Sequence, residues 1–372
     1  MKAIRNLAMS KIYYKFSRLV PLLVLGLIIS CIFTSLLFLL SESNFAFGDG
    51  LSQEQISASM GSRKADLLIK MTPPVVTNET VQTANQKPII QFRLFDSNTN
   101  KSFSHVNYHI SIDKEGKKLL SNWFHSHDGD LGIEIIPSNL SKVRFPGQQQ
   151  EPLIGGYIGS PNNPVIAEGP IFLNGGLYHF AVRIGTVDCD TCVLTADQQS
   201  VYNSYLSIGS AMNQQVNISE KSVPIKIISY YDKLNDFKFD SKNMQMQFNM
   251  PFNWNINRIN NSSIFVHVEV YVPKPNSFTD KKSYSGTVNG IDVSKYIAVD
   301  PTNATRDIIH IMLPKNSLVQ IASQLNSNGK QPQPLQHTST ADLMNFTLQP
   351  GGNATVAGGK AMAPMGSMGS MS

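Results

Sequence analysis

The strongest single constraint on this chain is a run of 22 uncharged residues at positions 19–40, LVPLLVLGLIISCIFTSLLFLL. A helix of that length reaches about 33 Å at 1.5 Å per residue, the thickness of a bilayer core, so the segment reads as one transmembrane helix. Pro21 falls in its first turn, where a missing N–H costs little. Lys2, Arg5, Lys11, Lys15 and Arg18 all precede the first acidic residue, Glu42. By the positive-inside rule they hold residues 1–18 as a cytoplasmic stub, which makes a single-pass protein of the cell membrane with its bulk outside the cytoplasm. A signal peptide cut after Ala46 is the competing reading. It is disfavoured by an apolar core longer than the usual stretch of about 7 to 15 residues and by Asn44 two places before the cut.

Those five cations also account for the whole formal charge of +5, because the remaining 26 Lys and Arg balance the 26 Asp and Glu. The exterior part is therefore neutral, with none of the basic footprint that nucleic-acid binding requires. Nine N-x-S/T sequons, at Asn78, Asn100, Asn139, Asn217, Asn260, Asn261, Asn303, Asn345 and Asn353, lie beyond the apolar run and are glycosylation candidates. Of three cysteines, Cys31 lies in that run, leaving Cys189 and Cys192 in Asp-Cys-Asp-Thr-Cys to form one short disulfide in an oxidising compartment. The pair follows a strand pattern, and Asp188 and Asp190 would raise a thiol pKa, so it reads as a structural staple and not a catalytic dithiol.

Past a polar tether at 41–63 the dominant signal has period two. Val106, Tyr108, Ile110 and Ile112 alternate with polar residues, as do Leu131, Ile133 and Ile135; Tyr178, Phe180, Val182 and Ile184; Met244, Met246 and Phe248; and Ile264, Val266, Val268, Val270 and Val272. Alternation places the apolar set on one face of a strand. Turn chemistry at Asp96-Ser-Asn-Thr-Asn, Lys114-Glu-Gly, His127-Asp-Gly-Asp, Asn174-Gly-Gly and Val288-Asn-Gly separates the strands. Only Ser317 to Leu325 predicts a helix in the exterior part. Many short strands joined by loops predict an all-β class, with two tandem immunoglobulin-like β-sandwich domains at 64–217 and 223–325. A polar joint at 213–221 lies between them, and a disordered Met-rich tail follows at 326–372.

The stretches Phe92-Arg-Leu-Phe-Asp96, His105-Val-Asn-Tyr-His-Ile110, Phe124-His-Ser-His-Asp-Gly-Asp-Leu131 and Gly176-Leu-Tyr-His-Phe180 resemble the first module of membrane-anchored surface proteins of ammonia-oxidising archaea. Ile228-Ser-Tyr-Tyr-Asp232, Phe237-Lys-Phe-Asp240, Met250-Pro-Phe-Asn-Trp254, Phe265-Val-His-Val-Glu269, Pro273-Lys274 and Val288-Asn-Gly290 resemble the second. The resemblance covers most of residues 88 to 315, and Met-Pro-Phe-Asn-Trp is its most specific element. It implies a fold, a side of the membrane and a lineage that depends on copper enzymes, and it carries no established activity and no catalytic residue.

Enzyme motifs are missing from the sequence: there is no Gly-x-Ser-x-Gly, no His-Glu-x-x-His and no phosphate-cradling glycine loop. The densest ligand cluster is His125-Ser-His127-Asp-Gly-Asp130. If the strand continues through Phe124, both imidazoles share a face and could hold copper or zinc with His105, while His109 and His179 lie on candidate strands nearby. The bland alternative is a hairpin turn capped by its aspartates, with the histidines simply exposed. His267 and Glu269, with His310 elsewhere, could make an acid/base pair, although solvent-facing strand residues are commoner. Phe252 and Trp254 read as core and not as a sugar platform. At the C-terminal end Met362, Met365, Met368 and Met371 recur every third residue among Gly and Ser, a spacing at which flexible thioethers can wrap one Cu(I) ion; the equal alternative is a low-complexity tail that happens to be Met-rich.

The expectation is a non-enzymatic surface protein of the cell envelope, anchored by one helix and contacting other envelope or membrane proteins. The alternative is an extracytoplasmic copper-binding accessory protein that uses the Met tail and the histidine cluster.

Overall fold

The computed structural model describes residues 51–83, 87–261, 264–279, 283–300, 304–327 and 343–351. The apolar run at 19–40, the sequons at Asn303 and Asn353 and the four tail methionines lie outside the described residues. Among those described, no helix is long and apolar enough to cross a membrane.

The first unit contains β1 (Gln53–Met60), β2 (Arg63–Thr72), β3 (Ile89–Asp96), β4 (Val106–Lys114), β5 (Lys117–Ser126), β6 (Asp130–Pro137), β7 (Tyr157–Ile158), β8 (Val165–Gly169), β9 (Gly176–Thr186) and β10 (Val201–Ile208). They form two five-stranded sheets, in the orders β1-β2-β3-β6-β8 and β10-β9-β4-β5-β7. The period-two residues of both sheets face one shared core. Phe92 on β3 sits 6.3 Å from Phe180 on β9 and 6.4 Å from Tyr108 on β4, so the rings bridge the sheets. Each fully buried aromatic or aliphatic side chain contributes about 1.5–3 kcal/mol, which makes this alternation the main determinant of the layer.

The second unit contains β11 (Ser210–Ile218), β12 (Lys221–Ser229), β13 (Asn235–Asp240), β14 (Gln245–Pro251), β15 (Phe265–Pro273), β16 (Tyr284–Val288), β17 (Ile291–Asp292), β18 (Ile297–Val299), β19 (Arg306–Pro314) and β20 (Leu343–Pro350). Its sheets run β11-β12-β15-β19-β18 and β13-β14-β20-β16-β17, and every pairing is antiparallel. Trp254 is 1% exposed and its Nε1–H donates to the Leu343 carbonyl at 3.2 Å, so it belongs to the core and ties β20 into it. Phe248 and Phe346 stack across β14 and β20 at 5.0 Å.

Several boundaries differ from the sequence expectation. The tether at 41–63 extends too far, because β1 occupies most of its end and Leu51 is fully buried. The polar stretch at 213–221 is no joint: it is the β11–β12 hairpin, whose polar residues face outward on an edge strand while Val216 and Ile218 face the core. The units instead meet at Gly209, the one residue between β10 and β11. The tail expected from Asn326 gives way at Leu343 to β20, a central strand whose Met344, Phe346 and Leu348 are buried. Met244 is not in a strand but in the turn before β14, at φ +52°.

The expected helix is α3 (Lys315–Ser327), and two short ones were not foreseen: α1 (Asn78–Thr83), whose Thr80 N–H is capped by the Thr77 hydroxyl at 3.1 Å, and α2 (Ile256–Asn261). Both have only six residues, too few for a periodic signal.

Among the sequons, Asn100, Asn139, Asn217, Asn260 and Asn345 are exposed. Asn78 is half-buried with its Oδ1 enclosed. The Asn261 side chain is outside the described residues.

Candidate metal centre

Three segments of the first unit converge at one end of its β10-β9-β4-β5-β7 sheet. His105 immediately precedes β4 in a left-handed conformation (φ +47°), fixed by its N–H donating to the His127 carbonyl at 2.9 Å and its carbonyl accepting from the Thr186 hydroxyl at 3.1 Å. His125 lies on β5 on the face opposite the core residue Phe124, yet it is fully buried. His127 follows in the turn between β5 and β6 and is exposed.

That turn depends on Gly129. Its φ is +78°, and an added Cβ would fall 1.9 Å from the Phe103 carbonyl oxygen, so no other residue fits. The Gly129 carbonyl accepts from the Tyr108 hydroxyl at 2.6 Å, anchoring the turn to the core. Asp128 does cap the turn, accepting from the Ser126 hydroxyl at 2.8 Å and the Asp130 N–H at 3.2 Å. Capping and convergence therefore coexist.

One nitrogen from each of His105, His125 and His127 lies within 4.8 Å of the others. His125 Nε2 is 3.3 Å from His127 Nδ1. The fourth member is Asp190, whose Oδ1 sits 2.8 Å from His105 Nδ1 and 3.5 Å from His125 Nε2. Cys189 and Cys192 are joined in a disulfide that closes the loop around Asp190, and Asp188 beside it ion-pairs with Arg63. Sequence reading treated Asp190 only as a neighbour of the thiols. The signal that could have found it is its place between the two cysteines, in a loop of only two intervening residues that is too short for the carboxylate to wander.

The electrostatics favour a bound cation. Burial is the largest cause pushing the His125 pKa down, followed by the charge of His127, and a neutral imidazole is the form that ligates metal. The hydrogen bond from His105, the largest influence on Asp190, holds its carboxyl below the usual range, so the carboxylate is ionised. His125 Nδ1 is enclosed with no hydrogen-bond partner. If that nitrogen carries the proton, the bare Nε2 faces a carboxylate; if Nε2 carries it, a buried lone pair is left unserved. A metal on Nε2 removes the first conflict. Ligands about 2.0–2.1 Å from one ion lie about 2.9–3.4 Å apart, close to the 2.8, 3.3 and 3.5 Å found here.

The other histidines go elsewhere. His109 packs its ring 4.9 Å from Trp123, and His179 Nδ1 pairs with Asp113 at 2.8 Å, so neither joins the cluster. The tail methionines Met362, Met365, Met368 and Met371 lie outside the described residues. No protein family, curated protein or solved structure matches this chain.

Proposed function

We propose that this chain is a non-enzymatic, membrane-anchored surface protein whose first extracytoplasmic sandwich binds a transition-metal ion, copper above all. The observation that carries this reading is the convergence of His105, His125 and His127 with Asp190, which a disulfide-closed loop presents to them. Three imidazoles and a carboxylate suit Cu(II) or Zn(II), and at equal availability Cu(II) binds such a set more tightly. The Met repeat at 362–371 supplies the soft donors that Cu(I) prefers, so one chain would handle both copper oxidation states. Both sandwiches read as immunoglobulin-like, and the resemblance to archaeal envelope proteins agrees with a role at the cell surface among other envelope proteins.

The test is titration of the full chain in detergent with Cu(II), comparing wild type with the double variant His105→Ala, His127→Ala. Both rings are at least partly exposed, so the fold should tolerate their removal. Expected is a tight Cu(II) with nitrogen hyperfine structure in its electron paramagnetic resonance spectrum, with one bound equivalent and its signal lost in the variant. A spectrum unchanged by the two substitutions overturns the proposal.

A further inference from the structure

The second unit carries an independent constellation. In β15 the core side is Val266, Val268, Val270 and Val272, so strand alternation places Phe265, His267, Glu269 and Tyr271 on the other face. In β19 the same rule sets His310 opposite Ile309 and Ile311. The antiparallel register pairs Glu269 directly with His310 and puts His267 two residues along, opposite Met312. Neighbouring positions on one sheet face thus gather two imidazoles and a carboxylate.

The geometry is tight. His267 Nε2 is 3.0 Å from His310 Nδ1, and Glu269 Oε1 is 3.5 Å from His310 Nδ1 and 3.8 Å from His267 Nε2. The carboxylate is divided by function. Its Oε2 accepts hydroxyl hydrogen bonds from Tyr230 at 3.0 Å and Tyr271 at 2.5 Å, while Oε1 is the oxygen aimed at the imidazole pair. At 3.5 and 3.8 Å that oxygen is at or beyond the limit of a useful N–H···O bond. Two ligands on one ion lie about 2.9–3.4 Å apart for bonds of 2.0–2.1 Å; the 3.0 Å between the two imidazole nitrogens falls in that range, and the carboxylate oxygen stands a few tenths of an ångström outside it.

The rings are also held flat against one another. Tyr230 stacks on His267 at 5.0 Å and 24°, and His267 stacks on His310 at 5.3 Å and 23°. Tyrosines that orient a ligating carboxylate, and stacking that fixes ring rotation, are the outer-layer support on which metal affinity depends.

We infer that His267, Glu269 and His310 form a second binding site, separate from the histidine cluster of the first unit, for a divalent transition-metal ion such as zinc. Three protein donors, two nitrogens and one oxygen, are the set found where a zinc ion keeps a position for a further ligand. The site does not depend on the first: it shares no residue, no strand and no sheet with it.

The test uses zinc alone, an ion that thioethers bind poorly, and the full chain in detergent. In the His105→Ala, His127→Ala background, where the first cluster is disabled, calorimetry should find one zinc per chain. Adding Glu269→Gln, which can keep an oxygen acceptor for the two tyrosines but loses the charge, should weaken that zinc by more than tenfold. Tyr271→Phe, which removes only a supporting hydroxyl, should weaken it by about tenfold. Thermal melts without metal check that each variant is folded, and His310→Gln serves as a second ligand variant if Glu269→Gln is not. Failure to bind zinc in the His105→Ala, His127→Ala background, or zinc binding indifferent to Glu269→Gln and His310→Gln, overturns the inference.

Discussion

The two units solve the same problem, assembling imidazoles and a carboxylate, by opposite means. In the first, the donors come from the residue before β4, the end of β5, the turn after it and a loop beyond β9, and a disulfide closes the last of these. In the second, all three donors stand on two hydrogen-bonded neighbours, β15 and β19. A site on loops inherits its precision from turn chemistry and cross-links; a site on a sheet face inherits it from register. The first should therefore be sensitive to its staple, and the second to the integrity of its sandwich.

The largest expected effect strikes the sandwich. Phe346→Ala removes a ring that is 2% exposed from the middle of β20 and should cost about 3–5 kcal/mol. Melting should show the second unit destabilised and its zinc lost, while Cu(II) at the first cluster persists. If stability were unchanged, β20 would not be the central strand described, and the contrast between the units would fail.

Next comes the staple. Cys189→Ser with Cys192→Ser frees the Asp190 loop, and Cu(II) affinity at the first cluster should fall about 10- to 100-fold. Zinc at the second site, which has no such loop, should not change. Equal weakening at both would mean that the first site does not depend specifically on its staple.

The smallest effect lies at the seam. Asp232 accepts from the Leu177 N–H of the first unit at 3.1 Å and the Lys233 N–H at 2.7 Å, and burial pushes its carboxyl up to about 6 from the usual 3.8. Because the folded form binds this proton more tightly than the unfolded chain, the contribution of Asp232 to stability is fullest below about pH 4 and is lost as pH rises through 6. Asp232→Asn keeps an oxygen acceptor for both N–H groups and loses the charge. Its melting temperature should match wild type near pH 4 and exceed it at pH 7. A variant that declines with pH as wild type does would show that the seam carries no such charge penalty.

What could be read from sequence follows the same divide. Period two located the strands with strong alternation, β4, β6, β9 and β15, because burial on one face leaves a direct imprint on residue order. It missed β20 although Met344, Phe346 and Leu348 alternate, since one short strand is swamped by the Gly, Pro, Asn and Gln around it. It missed β1 because an edge strand needs fewer apolar residues.

The His125-x-His127 spacing was visible, as both lie within one segment. The joining of His105 with Asp190 was not, because it depends on which loops lie side by side. Glu269 opposite His310 was hidden for a related reason: a register between strands some forty residues apart leaves no local trace.

Gly209 has a mechanical consequence. Its N–H donates to the Val76 carbonyl at 2.8 Å, its carbonyl accepts from the Asn78 N–H at 3.0 Å, and a Cβ would meet Thr77 at 2.9 Å. Both bonds tie this single-residue connector to the 76–78 segment of the first unit. With one residue between β10 and β11 there is no slack to spool out, and a docking protein that touches both sandwiches would meet them as direct chain neighbours instead of beads on a string.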